Sequence, residues 1–296
     1  MTEERIGILY ATFAYLLWGL LPLYWKLIEH VPAWEILAHR IFWSLAFMII
    51  FILVIRRWHL LVAEVKSLFT NAKTALGISA AGIVISLNWV IYIWAVNSDH
   101  VLDASLGYYI NPLISILFGL IFLKERFSSI QWVAIALAFI GVSYMTINLG
   151  SFPWAALALA MTFGIYGLLK KVVQLNAIFG LAIETMVVAP IAFIYIAGLK
   201  FSGGGALGAS WGTTLILIGA GVATAIPLLL FAQGAKRIPL SLIGFLQYIA
   251  PTLMLLIGVF LYNEPFTSVH AVTFILIWIG LILYTYERVK HLRQVG

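Results

Sequence analysis

The chain has 296 residues, of which 64% are hydrophobic and only 9% charged, against about 25% charged in a soluble globular protein. That leaves too little polar surface to cover a water-soluble particle, which excludes an ordinary cytosolic enzyme, a secreted disulfide module and a disordered tail. The formal net charge of +6 would point to nucleic acid in a soluble protein, whereas in a membrane chain it is the basic bias of cytoplasmic loops.

Glu3 and Glu4 precede a lone Arg5 and a long apolar run with no small-residue cleavage site. This start reads as a retained first span, not a signal peptide. Continuous apolar runs of about 20 residues mark transmembrane helices, and the weak ten-residue alternation of a membrane barrel is not seen. Ten runs follow in chain order, near 6–27, 34–55, 74–96, 102–123, 130–147, 154–169, 179–199, 211–233, 240–262 and 268–286. The fold class expected is therefore an all-α polytopic membrane protein with ten transmembrane helices. The linker 56–73 is long enough for a surface helix. The other long linker, 200–210, holds Gly203, Gly204 and Gly205. It reads as a turn, because neither the strand nor the Lys-Ser/Thr of a phosphate-binding loop accompanies it. Cysteine is absent, so there is no disulfide, thiolate metal site or Cys nucleophile.

Lysine and arginine set the orientation. With the N-terminus inside, fourteen of the seventeen basic residues fall on inside segments: Arg5, Arg56, Arg57, Lys66, Lys73, Lys124, Arg126, Lys170, Lys171, Lys236, Arg237, Arg288, Lys290 and Arg293. Outside ends hold Lys26 and Lys200, and Arg40 lies within a span. The positive-inside bias predicts a multi-pass protein of the bacterial cytoplasmic membrane with both termini cytoplasmic. It also accounts for the +6 without nucleic acid.

The chain repeats itself at an offset of 139 residues. Tyr109 pairs with Tyr248, Ile110 with Ile249, Pro112 with Pro251, Gly119 with Gly258, Glu125 with Glu264, Phe127 with Phe266, Ser129 with Ser268 and Gly141 with Gly280. A shared Tyr-Ile-x-Pro start and Glu-x-Phe end at fixed spacing is a specific signal. Spans four and five thus match nine and ten, while three and eight compare only with a gap of about two residues. The chain divides into residues 1–150 and 151–296, with five helices each. An odd number per half forces opposite orientations, as in secondary transporters whose site faces each side in turn.

With these motifs in place, the chain resembles the drug/metabolite transporter superfamily, of the EamA-domain type with ten spans. The stretches EILAHRIFWS (35–44), SLNWVIYIWAVN (86–97), SLGYYINPL (105–113) and GFLQYIAPTLMLLIGVFLYNEPF (244–266) are similar to the RarD group within it. The resemblance covers nearly the whole chain. It implies a carrier of two five-helix repeats, with spans one to four and six to nine around a central cavity and spans five and ten peripheral.

Ionisable groups at membrane depth are costly unless paired or wetted, so each is a functional candidate. Glu35, His39 and Arg40 sit in the first turns of span two, with Arg40 about 9 Å deep from the outer edge at 1.5 Å per residue. Together with Lys26 they make the outer half cationic, which predicts an anion or carboxylate site at His39 and Arg40. The competing reading pairs Arg40 with Glu35 or Glu184 and lets Lys26 snorkel to the surface. Glu184 lies at the corresponding depth of span seven, from the inner side. It is the candidate for coupling to protons, since desolvation disfavours a carboxylate's charged form; a structural bond to the backbone or to a Tyr hydroxyl competes with that role. Asn88, Trp89, Tyr92 and Trp94 fall in span three, Tyr108 and Asn111 in span four, and Gln247 and Tyr248 in span nine, with Gln233 ending span eight. Helix breaks are expected at Pro112 and Pro251, each of which frees a backbone carbonyl one turn earlier, and such carbonyls are tolerated only against protein or a wet cavity. These residues predict a mid-membrane substrate site at the repeat interface. Glu125 and Glu264 read as helix-end bonding groups, and Asp99 and Asp103 as caps for span four. His100 with Asp103 is too sparse a set for a metal, so no metal and no cofactor is expected.

The function expected is secondary active transport of a small organic metabolite or drug-like solute, outward, by alternating access. An intramembrane enzyme is the first alternative, but His-Glu-x-x-His, Gly-x-Ser-x-Gly and a paired-aspartate motif are all missing. A non-transporting sensor or assembly protein is the second. The expected partners are the solute, the bilayer and protons, and a homodimer stays open.

Overall fold

The computed structural model describes residues 2–97, 101–150, 154–263 and 266–295. Asp99, His100 and Glu264, and the Asp103 side chain, lie outside the described residues. The described elements are all helices: α1 (Glu3–Lys26), α2 (Ala33–Val54), α3 (Trp58–Leu68), α4 (Ala72–Asn97), α5 (Val101–Phe122), α6 (Ser129–Leu149), α7 (Trp154–Val172), α8 (Ala177–Phe201), α9 (Trp211–Arg237), α10 (Leu240–Gln247), α11 (Ile249–Leu261) and α12 (Ser268–Val295). Helix is the form these runs must take in lipid, because the backbone finds no water there and must bond within its own segment. Among the described residues, nine stretches are long and apolar enough to cross a membrane, and Leu106–Phe122 within α5 is a shorter apolar helix. The chain is a multi-pass membrane protein.

Local signals explain several helix starts. Ser128 and Gln131 form a reciprocal capping box at the start of α6, Asn176 caps α8 and Ser210 caps α9. The linker 56–73 holds the surface helix α3, as its length suggested. The glycines after α8 make a turn, with Gly203 at φ 73° and Gly205 at φ 95°, conformations that a Cβ disfavours.

Two expectations need correction. Of the helix breaks expected at Pro112 and Pro251, the first is not formed, since α5 runs through Pro112; the run 240–262 does break, at Tyr248, into α10 and α11. Pro251 has no N–H for the Gln247 carbonyl, and the ladder opens there. The sixth span does not stop at residue 169, because α7 runs on to Val172 and carries Lys170 into the interior.

Packing partners come in matched pairs. α1 packs on α9 and α11, while α7 packs on α4 and α5. α2 meets α8 and α9, and α8 meets α2 and α4. α5 crosses α10, and α6 and α12 pack chiefly on each other. Small residues allow these approaches. A Cβ on Gly141 would lie 3.0 Å from the Thr273 carbonyl oxygen, and one on Gly280 would lie 2.8 Å from that of Ala134. The 139-residue offset carries one contact into the other, Gly141 onto Gly280 and Ala134 onto Thr273. Gly82 and Gly221, also 139 apart, do the same for α4 and α9. A Cβ on Gly82 would meet the Glu184 carbonyl oxygen at 2.9 Å, and one on Gly221 would overlap the Trp43 backbone. Lys124 (φ 53°) and Asn263 (φ 55°) share the left-handed conformation at equivalent positions.

Candidate functional site

Arg40, on the second turn of α2, makes the densest set of contacts among the embedded charges. Its Nε donates to Thr224 Oγ1 of α9 at 3.1 Å. The guanidinium carbon lies 5.0 Å from the ring centres of both Trp25 of α1 and Trp89 of α4, within cation–π range. Tyr92 and Tyr108 stand edge to face with ring centres 6.1 Å apart, and both are within electrostatic reach of the cation. Among the described residues no carboxylate pairs with Arg40, and its two terminal amino groups make no hydrogen bond. The pairing with Glu35 or Glu184 is thus not the arrangement formed. Four of the expected residues (Arg40, Trp89, Tyr92 and Tyr108) do come together.

Glu35 and His39 are occupied otherwise. The Glu35 carboxylate accepts from the Ala206 N–H at 2.5 Å, strapping the glycine turn to α2. His39 Nδ1 accepts from Trp43 Nε1 at 3.2 Å, and its Nε2 lies 3.8 Å from Glu35. His39 is sealed inside the bundle and does not share the contacts of Arg40.

Glu184 lies toward the end of the bundle that bears both termini. Its carboxylate accepts from Lys170 Nζ at 2.7 Å and from the Tyr166 hydroxyl at 3.2 Å. Lys170 and Glu184 are 4% and 2% exposed, a sealed pair whose desolvation only good geometry offsets. Lys170, counted above as a loop charge, is a buried partner instead. A narrow cleft lined by Ser44, Ser86, Trp89, Tyr166, Glu184 and Thr185 reaches Glu184 from the Arg40 side. A second, lined by Lys170, Asn176 and Lys236, reaches it from the termini side. Glu184 therefore divides two clefts, with Trp89 linking the first to Arg40.

The remaining expected site residues disperse. Asn88 donates to the Leu159 carbonyl and to Thr162 Oγ1, each at 2.8 Å, and so ties α4 to α7. Trp94 packs on Trp154 with ring centres 4.7 Å apart, outside the Arg40 cluster. Tyr248 donates its hydroxyl to the Tyr109 carbonyl at 3.3 Å, so two residues 139 apart bond each other where α5 crosses α10. Pro112 and Pro251 flank that crossing, and a Cβ on Gly244 would lie 2.6 Å from the Pro112 carbonyl oxygen. Asn111 and Gln247 are buried nearby, each with a side-chain oxygen that has no hydrogen-bond partner among the described residues.

Three other polar side chains are structural. Lys26 pairs with Glu29 at 2.5 Å on an exposed surface, as the snorkelling reading held. The Glu125 carboxylate accepts from the N–H groups of Leu240 and Ser241 at 2.6 and 3.0 Å, which makes it a helix-end group as expected. Gln233 is bound to Arg237 at 2.5 Å, and Arg237 in turn to Glu3 at 3.0 Å. Among the described residues, no group of three His, Asp or Glu is placed to hold a metal.

Sequence reasoning missed Trp25, Thr224, Tyr166 and Lys170. Tyr166 and Lys170 are four apart and share a helix face, a signal that could have found them. Trp25 and Thr224 carry none, since only the register of α1 and α9 against α2 brings them to Arg40.

The chain matches the EamA-like transporter family over residues 5–147 and again over 152–286. The Bacillus subtilis protein called uncharacterized transporter YojE is 51% identical, over 97% of this chain and 96% of its own. Protein RarD of Escherichia coli is 42% identical, over 99% and 98%. A solved crystal structure with 19% identity covers 96% of this chain and 99% of its own with a TM-score of 0.75, which shows a shared fold.

Proposed function

Given that the chain belongs to the EamA-like transporter family, we propose that this membrane transporter is a secondary active carrier. It moves a small organic solute outward by alternating access between two inverted five-helix halves, 1–150 and 151–296, with both termini in the cytoplasm. The observation that carries this reading is the matched contact set. Gly141 on Thr273 and Gly280 on Ala134 are the same contact made twice about a pseudo-two-fold axis. Tyr109 and Tyr248 bond each other across that axis. A molecule built this way has two related packings of similar energy, one open to each side. The double family match supports the same division.

The solute site lies at Arg40, Trp89, Tyr92 and Tyr108, and Glu184 couples it to protons. A proton arriving at Glu184 cancels its charge and releases Lys170, so the sealed pair exists in one packing and exchanges partners in the other. The test is flux into proteoliposomes of purified protein. Saturable uptake with counterflow, driven by an imposed pH gradient, is the expected result. Glu184→Gln should remove the response to the gradient; transport by that variant with an unchanged pH profile rejects the coupling role. Product release without compartments would instead mark an enzyme.

A further inference from the structure

We propose that the Arg40 cluster is a binding site for an organic monocarboxylate with an aromatic or other apolar body; this rests on the carrier reading and names its substrate class. The first ground is charge. A cation at membrane depth is tolerated when paired, and the chain supplies that pairing for Lys170 through Glu184 at 2.7 Å. It supplies no acid for Arg40 among the described residues. The counter-charge is then the part of the site that arrives with the solute.

Geometry narrows the anion. Thr224 holds the Nε edge of the guanidinium, which leaves the two terminal amino groups as an unused planar fork. Such a fork matches the two oxygens of a carboxylate. Trp25 and Trp89 at 5.0 Å keep that fork from swinging. One cation balances one negative charge. A phosphate monoester would bring a second, and among the described residues no second unpaired lysine or arginine stands beside Arg40 to meet it. An ammonium solute would be repelled, although the aromatic rings alone would accept it.

The walls define the rest of the solute. Trp25, Trp89 and Tyr108 are half-buried, and Tyr92 leaves 36% of its surface open. Four aromatic side chains thus stand around the cation without sealing it, ready to stack on a flat apolar body. The Tyr92 and Tyr108 hydroxyls bond each other, which leaves the pair one O–H to donate to a carboxylate oxygen.

Trp25 and Trp89 are built-in reporters. Intrinsic tryptophan fluorescence of the purified full-length protein would be titrated with benzoate, phenylacetate and indole-3-acetate. Benzamide, phenylacetamide, benzylamine and inorganic phosphate serve as controls. Saturable responses are expected from carboxylates, with amides, amine and phosphate weaker by at least about tenfold. Arg40→Lys keeps the charge but loses the fork, and should weaken carboxylates by about tenfold with unchanged elution and helical circular dichroism. Arg40→Ala should abolish the response. The proposal is overturned if no carboxylate gives a saturable response, if an amide, the amine or phosphate binds as well, or if Arg40→Lys binds benzoate unchanged. Counterflow separates this from the carrier reading. Saturable flux of a neutral or cationic solute, unaffected by Arg40→Ala, would leave the carrier standing and remove the carboxylate site.

Discussion

Lys170 and Glu184 show what a single buried pair commits the molecule to. Removing one partner of a sealed ion pair leaves the other charge without compensation, at a cost of about 3–5 kcal/mol. Glu184→Gln orphans Lys170 and should lower thermal stability clearly. The double variant Lys170→Met with Glu184→Leu removes both charges and should be more stable than either single variant. Thermal unfolding in one detergent checks this, and a double variant weaker than both singles would contradict it. Depth was legible here, since an acid five residues inside an apolar run can be located by counting. Partner identity was not, because charge counting assigns every lysine near a span end to a loop. Likewise Arg40 was readable as embedded, while its neighbours Trp25 and Thr224 depend on how three helices are set in rotation and height.

Helices touch in this bundle where a side chain is missing. Gly221 meets the backbone of Trp43 and Ser44, and Ser44 Oγ donates to the Gly221 carbonyl at 2.9 Å. Gly221→Ala forces α9 off α2, and should destabilise by about 1–3 kcal/mol as overpacking does. Gly198, on α8, has nothing within 4 Å of an added Cβ. There Ala should be neutral or stabilising, by up to about 1 kcal/mol from helix propensity. Parallel chemical unfolding of the two variants tests the contrast; equal effects would mean that the contact at Gly221 yields easily. Glu125 acts on an element not its own, holding the first N–H groups of α10. Glu125→Ala should cost about 0.5–2 kcal/mol, as the loss of a helix cap does. The helices themselves were legible from apolar length. A break was expected at both Pro112 and Pro251, yet α5 runs on through Pro112, because a proline inside an apolar run says that a carbonyl is freed, not whether the helix kinks or stops.

For the whole molecule, the positive-inside rule makes a prediction that a cysteine-free chain can test cleanly. Arg57, at the α2–α3 turn, and Ser202, after α8, are both exposed. A membrane-impermeant maleimide should label the Ser202→Cys variant in intact cells and the Arg57→Cys variant only after permeabilisation. The reverse pattern would invert the proposed orientation. The pairing of α6 with α12 bears on manufacture. These helices start 139 residues apart, at Ser129 and Ser268, and each is the other's main neighbour. During synthesis α6 enters the membrane long before its partner has left the ribosome, and its Gly141 face waits against lipid or against a membrane chaperone. Assembly therefore closes last at the α6–α12 pair. A chain cut short before α12 would keep its Arg40 cluster and still present an unfinished seam to membrane proteases.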